Sequence, residues 1–104
     1  MFGFTKIDSV STDELAQLLQ QHKTQLIDVR EPSEFRAGHI KGARNIPLGQ
    51  IGQFSAPSDT KVYTICQSGL RSKNAYKILK KKNMNVVNVS GGMNSWRGKV
   101  INGS

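Results

Sequence analysis

The chain has a single cysteine, three prolines and only seven acidic residues among 104 positions. Cys66 cannot form a disulfide within the chain. With two histidines far apart in sequence, His22 and His39, it also cannot supply the three or four clustered ligands of a typical zinc site. No metal or cofactor is expected, and a domain of this length, which buries roughly 60–70% of the surface its unfolded chain exposes, needs no such staple. No stretch approaches the roughly 18 consecutive apolar residues of a membrane span. Residues 1–7 lack the basic flank and apolar run of a secretion signal. A cytoplasmic location with no membrane partner is therefore expected, and an unpaired thiol suits that reducing compartment. Linkers, internal repeats and low-complexity tracts are also missing, so residues 1–104 read as one domain.

Scarcity of acid leaves fifteen Lys and Arg against seven Asp and Glu, a formal charge of +8. Such a balance attracts anions of many kinds. The densest run, Lys80-Lys81-Lys82, falls at an expected helix end, where cations complement the helix dipole and extend into water. Basic residues interleaved with aromatics, zinc-finger spacing and RNA-recognition signatures are all absent, so nucleic acid is not an expected partner.

The elements present alternate. Ser11-Thr12-Asp13-Glu14 has the form of a capping box, and Leu15, Leu18 and Leu19 follow at helical spacing, predicting a helix over residues 12–21. Residues 25–29 form an apolar run ended by Arg30-Glu31-Pro32, a buried strand leading into a short helix that starts at Pro32 and stops at Gly38. A weak strand over 43–46 and a short helix over 48–54 come next. The pattern then gives a strand over 62–65, a polar turn, a helix over 71–82, a strand over 86–89 and a short helix near Trp96. In the longest helix, Ala75, Ile78 and Leu79 are expected inside, Tyr76 and Lys80 to Lys82 outside, with Asn83 as a left-handed cap. Strands alternating with helices imply an α/β fold, a parallel sheet covered on both faces.

In such sheets ligands bind beyond the carboxyl ends of the strands, and Cys66 stands immediately after Ile65. In the turn Gln67-Ser68-Gly69-Leu70-Arg71, Gly69 can adopt positive φ and curl successive N–H groups into an anion-binding nest. The following helix adds the positive end of its dipole, and such surroundings depress a thiol's pKa. A lone cysteine is often just an inert core residue. Here the strand end, the glycine-containing loop and the downstream helix together favour a reactive thiolate.

Four segments resemble the rhodanese domain, in family order and at family spacing. They are Leu26-Ile27-Asp28-Val29-Arg30-Glu31; the run from Glu34-Phe35 through Gly38-His39-Ile40 to Asn45-Ile46-Pro47; Cys66-Gln67-Ser68-Gly69-Leu70-Arg71-Ser72; and Gly91-Gly92-Met93-Asn94-Ser95-Trp96. The resemblance covers nearly the whole chain. It implies a rhodanese-like fold, a five-stranded mainly parallel sheet flanked by helices on both faces. It also implies that Cys66 is the nucleophile at the base of a six-residue loop ending at Arg71. In that family a sulfur donor such as thiosulfate sulfurates the cysteine, and the persulfide passes its outer sulfur to an acceptor, giving ping-pong kinetics. By the same resemblance the amides of Gln67, Ser68, Gly69, Leu70 and Arg71 form an anion cradle, with Arg71 as the positive rim.

The neighbouring residues receive plainer roles. Asp28, Arg30 and Ser72 support the site, Asp28 and Arg30 as an internal ion pair or loop anchor. His39 is expected to be hydrogen-bonded, since a thiolate held by amides needs no general base. Trp96 packs the last helix on the sheet, and Gly91-Gly92 gives a close approach to the active loop. Uncharged Gln67, Ser68 and Leu70 leave no strongly cationic pocket beyond Arg71, which speaks against thiosulfate as the physiological donor. Asn83-Met84-Asn85 replaces the family's usual glycine and apolar residue, a departure at the helix end only.

Phosphatases and arsenate reductases with a strand-end cysteine hold five residues between Cys and Arg. Here there are four, and no aspartic general acid is evident. A protein-interaction or persulfide-relay module is the other alternative, although Cys66 and its loop are intact. With no second cysteine, sulfur release requires an outside acceptor such as a thiol, a thioredoxin-like protein, cyanide or sulfite. The expected partners are thus a small anionic sulfur donor and a thiol or protein acceptor, with the chain a monomer or weak dimer.

Overall fold

The computed structural model describes residues 6–104, so most of the N-terminal segment 1–7 discussed above lies outside the described residues. In chain order the elements are β1 Ser9–Val10, α1 Thr12–Leu18, β2 Thr24–Asp28, α2 Pro32–Ala37, β3 Arg44–Asn45, a 3-10 turn Leu48–Gln53, β4 Lys61–Ile65, α3 Leu70–Lys80, β5 Asn85–Val89 and α4 Gly92–Ser95. The capping box at α1 forms as expected: Ser11 N–H donates to Glu14 Oε1 at 2.9 Å, and Glu14 N–H to Ser11 Oγ at 3.1 Å. The helix ends at Leu18, three residues short of the expected boundary. Two-residue β1 was not localised in the sequence, because so short a strand carries no alternation to read.

The five strands lie in the order β1-β5-β4-β2-β3, and every neighbouring pair is parallel. From β2 the chain crosses to β3 on one side, and from β4 it crosses to β5 on the other. The loops after β2 and β4 therefore diverge, leaving a crevice at the switch point between two adjacent strands. Alternation along each strand feeds two cores. Ile27, Val29, Val62, Cys66 and Val86 pack with Ala75, Tyr76 and Leu79 of α3 and with Ile51 and Phe54. Leu26, Tyr63, Ile65, Val87 and Val89 pack with Leu15 on the opposite face, covered further by Leu18, Met93 and Trp96. Among the described residues no helix is long and apolar enough to cross a membrane.

On α3 two side chains stand opposite to expectation. Tyr76 is fully buried, and Ile78 is 38% exposed. The buried stripe is Ser72, Ala75, Tyr76 and Leu79, the i, i+3, i+4, i+7 face of one helix. Polar Ser72 belongs to that stripe and sets its phase, whereas counting apolar residues alone shifted it toward Ile78. Lys80 to Lys82 are exposed as expected, and the Lys82 ammonium in addition donates to Gly52 O and Phe54 O, both at 2.7 Å. Asn83 takes the left-handed conformation, φ 64°, that closes the helix. Near the C-terminus the chain returns to the site end, where His39 and Ile101 exchange backbone hydrogen bonds of 2.8 Å in each direction.

Candidate active site

Central strand β4 runs out at Ile65 and delivers Cys66 to the crevice, with its side chain 1% exposed. The loop must reverse quickly to enter α3, and Gly69 at φ 112° allows it to do so at no Cβ cost. The turn aims N–H groups at the sulfur. Gly69 N–H donates to Cys66 Sγ at 3.0 Å and Ser72 N–H at 3.3 Å, while the Ser72 hydroxyl lies 3.5 Å away. Burial pushes the Cys66 thiol up. The Ser72 hydroxyl and the amides of Ser72, Gly69 and Ser68 pull it down by more, so it stands below its ordinary value. The α3 N-terminus, which begins with this loop, favours the same charged form.

Other loop residues hold the cradle without reaching the sulfur. Gln67 Nε2 donates to Asn94 Oδ1 at 2.7 Å, and its Oε1 accepts from Arg30 Nη1 at 3.1 Å. The backbone N–H groups of Met93 and Asn94 donate to the carbonyls of Cys66 and Gln67 at 2.8 and 2.9 Å. That contact requires Gly92, since a Cβ there would stand 2.7 Å from Gln67 O. The Leu70 side chain is 72% exposed. Arg71 turns to Glu34, donating from Nη1 to Oε1 at 2.6 Å and from Nη2 to Oε2 at 2.9 Å. The hydrogen bond from Arg71 holds the Glu34 carboxyl at about 2, so the positive rim expected from Arg71 carries its own counter-charge.

Asp28 and Arg30 are both buried and pair at 2.8 Å. Arg30 donates from Nε to both Asp28 oxygens, and from Nη2 to Asp28 Oδ2 and to Gly38 O. Through Nη1 on Gln67 it ties the β2 loop to the Cys66 loop. Asn45 Nδ2 reaches the carbonyls of Asp28 and Arg30, both at 2.9 Å, and locks β3 to the same corner. His39 stacks on Phe35 and places Nδ1 2.7 Å from Phe35 O. An open groove of about 350 Å³ fronts the loop, lined by Arg30, Glu34, Ala37, Gly38, Gln67, Met93 and Val100.

Two contributors were not identified in the sequence. Glu34 occupies N3 of α2, where its visible duty is the capping contact with Glu31 N–H at 3.0 Å. Its meeting with Arg71, 37 residues away, has no local signature. Asn88 is fully buried, with Oδ1 2.6 Å from Ser72 Oγ. Here a signal existed, a polar residue interrupting the apolar run Val86-Val87-Asn88-Val89.

The profile of the family described as "Rhodanese-like domain" matches residues 11–99. YqhL of Bacillus subtilis, itself uncharacterized, is 48% identical over 81 residues, 75% of this chain and 64% of its own length. This chain thus spans less than two thirds of that relative. The thiosulfate sulfurtransferase GlpE of Shewanella oneidensis is 29% identical over 90 residues, 84% of this chain and 89% of GlpE. The crystal structure of a rhodanese-like domain protein from Staphylococcus aureus matches with a TM-score of 0.82 at 32% identity, covering 94% of this chain and 100% of that one.

Proposed function

The chain belongs to the rhodanese-like domain family, and from that membership and the loop geometry we propose that it is a cytoplasmic, single-domain sulfurtransferase carrying sulfane sulfur as a persulfide on Cys66. The observation that carries this reading is the grip on Sγ by the Gly69 and Ser72 amides at 3.0 and 3.3 Å, with no His, Asp, Glu or Lys side chain on Sγ among the described residues. Such a grip favours Cys66 as thiolate. The Cys66–S–S⁻ product presents the same negative charge to the same loop.

The chemistry divides into two displacements. The Cys66 thiolate attacks the outer sulfur of the donor. A bond forms between the two sulfurs, the donor's bond to that sulfur breaks, and the leaving group departs with the electron pair. An acceptor thiolate then attacks the outer sulfur of Cys66–S–S⁻, taking it as RS–S⁻ and restoring the Cys66 thiolate. Because Cys66 is the only cysteine, no internal thiol competes for the persulfide. Arg30, Gln67 and the α4 amides brace the loop that carries Cys66. Four residues between Cys66 and Arg71 make a cradle one residue tighter than a phosphatase loop, which suits a single sulfur.

The test is intact mass after incubation with thiosulfate or polysulfide and removal of excess donor. The expected result is gain of one sulfur atom, reversed by reductant, absent in Cys66→Ser and coupled to thiocyanate release on adding cyanide. Failure with every donor, despite a thiolate that alkylates readily, rejects the proposal.

A further inference from the structure

Both arginines at the Cys66 loop are already matched with carboxylates. Arg30 is buried against Asp28, and Arg71 closes both terminal nitrogens on the two oxygens of Glu34 at 2.6 and 2.9 Å. A thiosulfate ion brings two negative charges and a sulfonate that asks for a free cationic fork. The fork of Arg71 is occupied by Glu34, the carboxylate that lines the groove in front of the loop. Glu34 ionises near 2 and stays charged wherever the protein works. The rest of the wall is Gln67, whose side-chain amide is already paired with Asn94 and Arg30, and the apolar Ala37, Gly38, Met93 and Val100.

We infer that Glu34 is a specificity-determining residue: by closing the Arg71 fork it turns the site away from dianionic thiosulfate and toward organic persulfides whose carbon body lies along Ala37, Met93 and Val100. The inference rests on the sulfurtransferase reading above and names its donor class. With an organic persulfide RS–SH, the Cys66 thiolate attacks the outer sulfur, the donor's S–S bond breaks, and RS⁻ leaves with the electron pair. RS⁻ then takes the proton, giving Cys66–S–S⁻ and RSH with no oxidant or reductant. Only the terminal sulfur need carry charge, and the leaving thiol exits as a neutral molecule along an apolar wall. With thiosulfate the leaving group is a sulfite dianion, which must cross the same groove past Glu34.

Glu34→Gln tests this directly. The amide oxygen of Gln still accepts the Glu31 N–H that caps α2, so the helix start is kept while the charge is removed. Sulfur loading is measured as kcat/KM with thiosulfate and with the persulfide of 2-mercaptoethanol, whose body is uncharged. Wild type should prefer the organic persulfide. In the variant the ratio of thiosulfate to organic persulfide should rise about tenfold, the effect of removing one charge roughly 8 Å from a dianion at an effective dielectric near 60. That gain should appear mainly as a lower KM for thiosulfate. Wild-type preference for thiosulfate overturns the inference, as does an unchanged or lower ratio in the variant. If both donors still load Cys66 in those cases, and neither loads Cys66→Ser, the sulfurtransferase reading stands without it. If neither of these donors nor polysulfide loads wild type, both fall.

Discussion

Asp28→Asn isolates the structural half of the site. The Asp28 carboxylate is fully buried and accepts from Arg30 N–H at 3.1 Å, from Nε at 3.0 and 3.2 Å, and from Nη2 at 2.8 Å. An asparagine keeps one oxygen but turns an NH₂ group toward a second donor and leaves the buried guanidinium without a counter-charge. Removing one partner of a buried pair costs about 3–5 kcal/mol, a large part of the roughly 5–15 kcal/mol that holds a small domain. At a urea slope near 1.5 kcal/mol/M, the unfolding midpoint should fall by about 2–3 M with the slope unchanged. Arg30 also holds Gln67 at 3.1 Å, so sulfur loading of Cys66 should slow in the same variant under conditions where it remains folded. Replacing both partners, Asp28→Leu with Arg30→Met, should recover more than half of the lost stability, because no charge is then stranded. A midpoint shift equivalent to less than about 1 kcal/mol in Asp28→Asn would refute the assignment of this pair as the anchor of the corner.

Three further outcomes concern the loop. Ser72→Ala removes the hydroxyl beside Sγ and keeps the amide, so the midpoint of Cys66 alkylation against pH should move upward, toward an ordinary thiol; an unmoved midpoint would leave the amides as the whole cause. The depressed folded-state pKa also means that ionised Cys66 stabilises the fold fully above the unfolded thiol's value of about 8.5 and loses that contribution as pH falls through the folded value. Thermal scans of wild type against Cys66→Ser across that window should diverge as pH rises. Gly92→Ala places a methyl 2.7 Å from Gln67 O and 2.8 Å from its carbonyl carbon, at φ 59°. It should cost more than about 1 kcal/mol in denaturant unfolding and slow persulfide formation; a neutral effect would mean that the two loops separate easily.

By itself, the sequence determined the features written in short-range chemistry. The capping box at Ser11 and Glu14, the start at Pro32, the left-handed Asn83 and the strand-loop-helix around Cys66 each depend on residues a few positions apart. Backbone hydrogen bonding and side-chain periodicity act over that range. Four motifs in family order extended the reading to the sheet as a whole. Tertiary structure decided which groups meet across the crevice. Glu34 finds Arg71 from 37 residues away, and Asn88 finds Ser72 from 16. It also decided that Tyr76 enters the core while Ile78 faces water. These outcomes depend on how α3 is rotated against the sheet and how the β2 and β4 loops face each other across the crevice. Packing of both cores sets those quantities, and no window of the chain encodes them. The strand-end position of Cys66 and the turn at Gly69 were therefore legible from sequence, whereas the pairing of Glu34 with Arg71 beside them had to be read from the fold.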